Sequence, residues 1–139
     1  MRFLKFFLVP ALSLLCAFNS GAQTKQSLTS PDGNIKVEVT LAGGISYDVY
    51  RGDELVLDRC RLSMDLEGLV LGSSPKLQKA TRRTVNEVKK PFLHLKYAEV
   101  SNHFNELTLK FKGGYSVIFR AYDDGVAYRW VTEFPGKIE

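Results

Sequence analysis

Phe119-Arg120-Ala121-Tyr122-Asp123-Asp124-Gly125-Val126-Ala127-Tyr128-Arg129-Trp130 is the stretch whose reading decides the fold. Val117, Phe119 and Ala121 lead in with apolar side chains at every second position, and Val126, Tyr128 and Trp130 lead out with the same period. Successive side chains of a strand point to opposite faces, so period two marks a ribbon with one buried side. Asp124-Gly125 supplies the turn, because both residues tolerate positive φ at low steric cost. The pattern predicts a twisted hairpin, buried on one face and carrying Arg120 and Arg129 on the other.

The same pattern repeats upstream. Leu107, Leu109 and Phe111 alternate with Thr108, Lys110 and Lys112 before Gly113-Gly114 turns the chain toward the hairpin. Ser30-Pro31-Asp32-Gly33-Asn34 is a dense turn signal. After it, Ile35, Val37, Val39 and Leu41 alternate with Lys36, Glu38 and Thr40. Gly43-Gly44 reverses the chain into Ile45, Tyr47 and Val49, and Gly52-Asp53 turns it into Leu55-Val56-Leu57. Leu62, Met64 and Leu66 give a further strand, and residues 92–97 alternate weakly enough to read as another. Residues 23–26 read as a frayed lead and residues 68–75 as a loop. Eight or nine strands with short turns, and no helix after the first residues, predict an all-β chain: an antiparallel β-sandwich of two packed sheets.

The first 22 residues read differently. Arg2 and Lys5 precede an almost wholly apolar run from residue 6 to residue 18, and Ser20-Gly21-Ala22 offers small residues for a signal peptidase. That run is shorter than the roughly 20 apolar residues a spanning helix needs. Leu15 before Cys16 does not suit a lipoprotein signal. Residues 1–22 are therefore expected to be a signal peptide, and residues 23–139 the mature domain, exported to the periplasm or cell surface of a Gram-negative bacterium. Removal of the leader leaves 17 basic and 15 acidic residues, a balance too even to argue for a nucleic-acid partner, and export argues against one further. Cys60 alone remains, so no internal disulfide is available and the fold must rest on its apolar core.

Chemistry is sparse in this sequence. His94 and His103 have no ligand-spaced partner, which argues against zinc, and no glycine-rich loop is followed by Lys-Ser/Thr. No nucleophile, base and acid can be assembled, so no catalytic residue, cofactor or metal ligand is assigned. Asp123 and Asp124 read as turn residues before acid–base or calcium groups. Asn102-His103-Phe104-Asn105-Glu106 reads either as a sugar-orienting cluster or as a loop satisfying its own backbone. Arg120 and Arg129 read first as cross-strand partners for carboxylates and second as ligand clamps. Basic residues between positions 76 and 90 read as a solvated strand face or loop, with lysines that protect an edge, before a nucleic-acid or acidic-glycan patch. Weak carbohydrate-binding candidates are Asn105, Glu106, Arg120 and Asp124.

The run from Phe119 to Arg129 resembles the signature of the N-terminal domain of glycoside hydrolase family 97. Asn105-Glu106-Leu107 and Ser30-Pro31-Asp32-Gly33 are similar to that domain's pattern too, while Phe104 stands where the pattern expects Tyr. The resemblance implies a β-super-sandwich of galactose-mutarotase-like type, of which this chain would be an incomplete N-terminal part. It implies an exported α-glucosidase or α-galactosidase whose catalytic carboxylates, with a calcium ion near the substrate, belong to a (β/α)₈ barrel. The alternation of strands and helices that a barrel requires does not occur in this chain. The expected function is a non-catalytic domain that packs on that barrel and helps shape a cleft for an α-linked oligosaccharide. The isolated domain is expected to be inactive and poorly soluble, because a strand ending near Thr132 lacks cover. The alternative is a standalone exported sandwich that binds carbohydrate or protein without catalysis, and a weaker third reading is a purely structural envelope protein.

Overall fold

The computed structural model describes residues 25–90, 92 and 99–134, and among these every regular element is a strand. The strands are β1 (Lys25–Thr29), β2 (Ile35–Thr40), β3 (Ile45–Arg51), β4 (Glu54–Leu62), β5 (Met64–Leu66), β6 (Leu69–Leu71), β7 (Leu77–Lys89), β8 (Val100–Phe111), β9 (Tyr115–Ala121) and β10 (Val126–Thr132). Two four-stranded antiparallel sheets, ordered β1-β2-β3-β4 and β10-β9-β8-β7, pack face to face, with the small β5-β6 hairpin beside them. The leader and most of the weak strand expected at residues 92–97 lie outside the described residues.

Alternation builds the core. Ile35, Val37 and Val39 of β2 point inward against Leu107, Leu109 and Phe111 of β8 and Val117, Phe119 and Ala121 of β9, all buried. Within the second sheet, Leu107 pairs with Phe119 and Leu109 with Val117, which puts the apolar sets of neighbouring strands on one face. The face-to-face stacking of Phe111 on Tyr115, with centroids 5.0 Å apart, closes one end. Gly72 lies at that end with φ 84°, where a Cβ would fall 2.7 Å from the Leu62 carbonyl oxygen and 3.0 Å from the Trp130 ring. Only glycine allows that approach.

Several expectations need correction. The separate strands expected around residue 56 and from residue 62 are one continuous β4 through Leu62, broken from β5 at Ser63. β4 stays continuous by taking a bulge, where Arg59 has φ 45° and its N–H donates to Asp48 Oδ1 at 2.6 Å. The expected loop at residues 68–75 contains β6, and the frayed lead contains Lys25 and Gln26 of β1, with Gln26 only 3% exposed. The loop reading of residues 102–106 gives way to a strand, since all five lie within β8.

Candidate functional site

The face of the second sheet turned away from the core carries a charged row. Leu107 and Phe119 point inward, so Glu106 and Arg120 beside them point outward. Register places Arg83 opposite Glu106 on one side and Arg120 opposite it on the other. Arg83 Nε donates to Glu106 Oε1 at 2.6 Å, and Arg120 Nε donates to Glu106 Oε2 at 2.8 Å. The Glu106 side chain is 4% exposed, against 61% for Arg83 and 28% for Arg120.

Burial pushes the Glu106 carboxyl up, but hydrogen bonds and charge from the two guanidinium groups outweigh it and hold the carboxyl below its usual range. With both oxygens engaged and the charge retained, Glu106 acts as a structural acceptor, not as an acid ready to give up a proton. The Arg120 guanidinium also lies over the Phe104 ring, 4.5 Å from its centroid, and Phe104 tilts against Tyr122 at 5.0 Å. The phenyl ring at position 104 is therefore an apolar plate beneath a cation, a role that needs no hydroxyl.

Asn105 points to the opposite face of β8. Its Oδ1 accepts from Thr84 Oγ1 at 2.6 Å, and its Nδ2 donates to the Thr29 carbonyl at 2.8 Å. Beside it, Arg82 Nη2 donates to Gln26 Oε1 at 2.8 Å and to the Ser27 carbonyl at 3.2 Å. These bonds stitch β1 to β7 and β8 across the two layers. They border an open recess of about 500 Å³, lined among others by Ser27, Thr29, Arg83, Asn105 and Glu106.

Asp124 lies elsewhere, in the turn between β9 and β10, where Tyr122 N–H donates to the Gly125 carbonyl at 2.8 Å. It borders a second recess of about 480 Å³ between the sheets, with Tyr47, Val49, Val56, Leu57 and Tyr128. Asp123 accepts the Asp32 N–H on Oδ1 at 2.9 Å, tying the first turn of the chain to this hairpin. Asp32 is held at about 2 by the Ser30 hydroxyl and the Asn34 N–H. Turn chemistry thus accounts for Asp123.

The structure joins Glu106 to Arg120, puts Asn105 on the reverse of the same strand and leaves Asp124 in a different recess. Arg82 and Arg83 belong to these networks and were legible only as part of a basic strand, because their partners lie 56 and 23 residues away. Among the described residues, no three His, Cys, Asp or Glu side chains converge to hold a metal ion. No helix among the described residues is long and apolar enough to cross a membrane.

Fold and site together define a two-layer antiparallel sandwich module with a buried, fully paired carboxylate on its outer face. The family model described as "Glycosyl-hydrolase 97 N-terminal" matches residues 28–138. The chain belongs to that family. A curated relative, a retaining alpha-galactosidase of Bacteroides thetaiotaomicron, is 40% identical over 124 residues, which is 88% of this chain and 18% of the relative. A glycoside hydrolase family 97 enzyme from Pseudoalteromonas sp. strain K8, solved in complex with acarbose, aligns with TM-score 0.68 and 27% identity over 77% of this chain and 17% of that one. A beta-arabinopyranosidase structure aligns with TM-score 0.71 and 23% identity over 80% of this chain and 18% of that one, a likeness of fold alone. The chain thus spans under a fifth of the length of the relatives it matches.

Proposed function

We propose that this chain is the N-terminal, non-catalytic β-sandwich of an exported α-glycoside hydrolase, and that it packs on a catalytic barrel and helps shape the carbohydrate cleft. The supporting observation is the family match over residues 28–138 in a chain that spans 18% of a retaining alpha-galactosidase. The site chemistry agrees with a supporting role, since Glu106 is consumed by two arginines and Asn105 by Thr84 and Thr29. Of the four carbohydrate-binding candidates, Asp124 is exposed at the rim of the recess between the sheets, within reach of a sugar or a neighbouring domain. Export to the periplasm or cell surface, with cleavage after Ala22, completes the reading, and any calcium belongs to the barrel.

Aryl α-galactosides and α-glucosides test it. The full polypeptide encoded by the gene is expected to hydrolyse one of them, and purified residues 23–139 to hydrolyse neither. Turnover by residues 23–139, or an intact gene that stops after Glu139, overturns the proposal. Sugar-dependent thermal stabilisation of residues 23–139 in that second case favours a standalone binding module.

A further inference from the structure

The recess of about 500 Å³ between β1 and the β7–β8 pair is one-sided in its hydrogen bonding. Its acceptors are spent. Glu106 holds an arginine on each oxygen, Asn105 Oδ1 accepts from Thr84, and the carbonyls of Ser27 and Thr29 accept from Arg82 and Asn105. Its donors remain. Arg83, 61% exposed, commits only its Nε, so among the described residues both terminal nitrogens of its fork are unused. The hydroxyls of Ser27 and Thr29, both exposed residues lining the recess, have no partner among the described residues either. Gln26 adds a buried Nε2 with no partner, since Arg82 takes only its Oε1.

Charge points the same way. Arg82 and Arg83 line the recess against one carboxylate, Glu106, and that carboxylate is shared with Arg120 of β9. The lining therefore keeps a positive surplus, carried by guanidinium groups whose planar forks match a carboxylate. Size narrows the ligand further. About 500 Å³ falls within the ~300–1,000 Å³ of small-molecule pockets, so an inorganic anion or a bare carboxylate would leave most of it empty. Apart from Leu28, itself only 5% exposed, the lining side chains are polar, which suits a hydroxylated body and not an acyl chain or an aromatic ring.

We propose that this recess binds a carboxylated sugar, a uronate residue, with the carboxylate on the Arg83 fork and ring hydroxyls on Ser27 and Thr29. A neutral sugar is less suited, because each of its hydroxyls brings a donor, and the Ser27 and Thr29 hydroxyls are the acceptors left for it among the described residues. The proposal does not rest on the reading of this chain as part of a glycosidase. Its ground is the mismatch between spent acceptors and unspent donors in one open, positively charged site.

Isothermal titration of the full polypeptide encoded by the gene with D-galacturonate, D-galactose and acetate tests this. Galacturonate is expected to bind about tenfold more tightly than galactose or acetate. Its binding should weaken by about tenfold or more in Ser27→Glu, which sets a like charge at the recess. Arg83→Lys, which keeps the charge and loses the planar fork, should weaken it severalfold. Thermal unfolding separates lost binding from lost fold, and Ser27→Glu should melt within a degree or two of wild type because position 27 is exposed. Equal affinity for galacturonate and galactose overturns the inference. Acetate binding as tightly as galacturonate does so too, since it would leave a site for a bare anion. Galacturonate binding that both variants retain also overturns it, by placing the sugar elsewhere in the polypeptide, and so does the absence of binding. Aryl-glycoside turnover by the wild type is read separately, so either proposal can fail alone.

Discussion

β7 and β10 end the same sheet, yet β7 carries four basic residues along its length while β10 offers an almost uncharged ribbon over an apolar slot. The partners on either side explain the difference. β7 is anchored through Arg82 to β1 and through Arg83 to Glu106, so its charges hold the fold together as well as keep strangers off. β10 has lateral support from β9 and ring contacts of Tyr128 with Tyr47 and Phe119, but nothing charged to repel a neighbour beyond Arg129. One end of the sheet is charged and tied into the fold, and the other is nearly uncharged and only half covered.

Three substitutions press on that contrast. Phe119→Ala should have the largest effect, because Phe119 is fully buried and its ring meets Tyr47 edge-on at 5.7 Å. A loss of about 3–5 kcal/mol is expected in urea denaturation. Since Phe119 also supports Tyr128, exchange should rise in β10 before β7; the opposite order would break the contrast.

Glu106→Gln is next, with a loss on the order of 2 kcal/mol at neutral pH, because two charge-assisted hydrogen bonds lose their ionised acceptor. The sign with pH follows from the depressed folded value. Glu106 stabilises fully above its unfolded value of 4.5, and that contribution is lost as pH falls through the lower folded value. The gap in melting temperature between wild type and variant should therefore shrink on acidification. A gap that stays constant into acid would mean that shape, not charge, holds β7 to β9.

Ala127→Lys on β10 should change stability least, within about 0.5 kcal/mol, since position 127 is exposed. It places on β10 the kind of charge that β7 already has. Light scattering on residues 23–139 should then show less self-association than in the wild type, and unchanged scattering would remove β10 as the adhesive edge.

Much of this architecture was legible because strands with one buried face advertise themselves. Ile35, Val37 and Val39, and Val117, Phe119 and Ala121, alternate in sequence and are buried as the alternation requires. Val126, Tyr128 and Trp130 alternate equally well but remain half-buried or exposed, because periodicity reports which way a side chain points and not whether anything faces it. Gln26 was illegible for the converse reason. A polar residue on an inward position is kept there by Arg82, 56 residues away. The polar run from residue 102 to residue 106 hid the first half of β8, since its side chains are satisfied across strands, by Glu87, Thr84, Arg83 and Arg120. Glu106 and Arg120 could be guessed as partners from residue type, whereas the third member, Arg83, required the register.

The bond from the Asp32 amide to the Asp123 carboxylate joins residues 91 apart. During synthesis the first four strands leave the ribosome as a half-built layer, with their oily face awaiting a mate that is translated much later. Over that interval its apolar face has no mate to cover it, and the first turn gains its Asp123 partner only once the final hairpin has emerged.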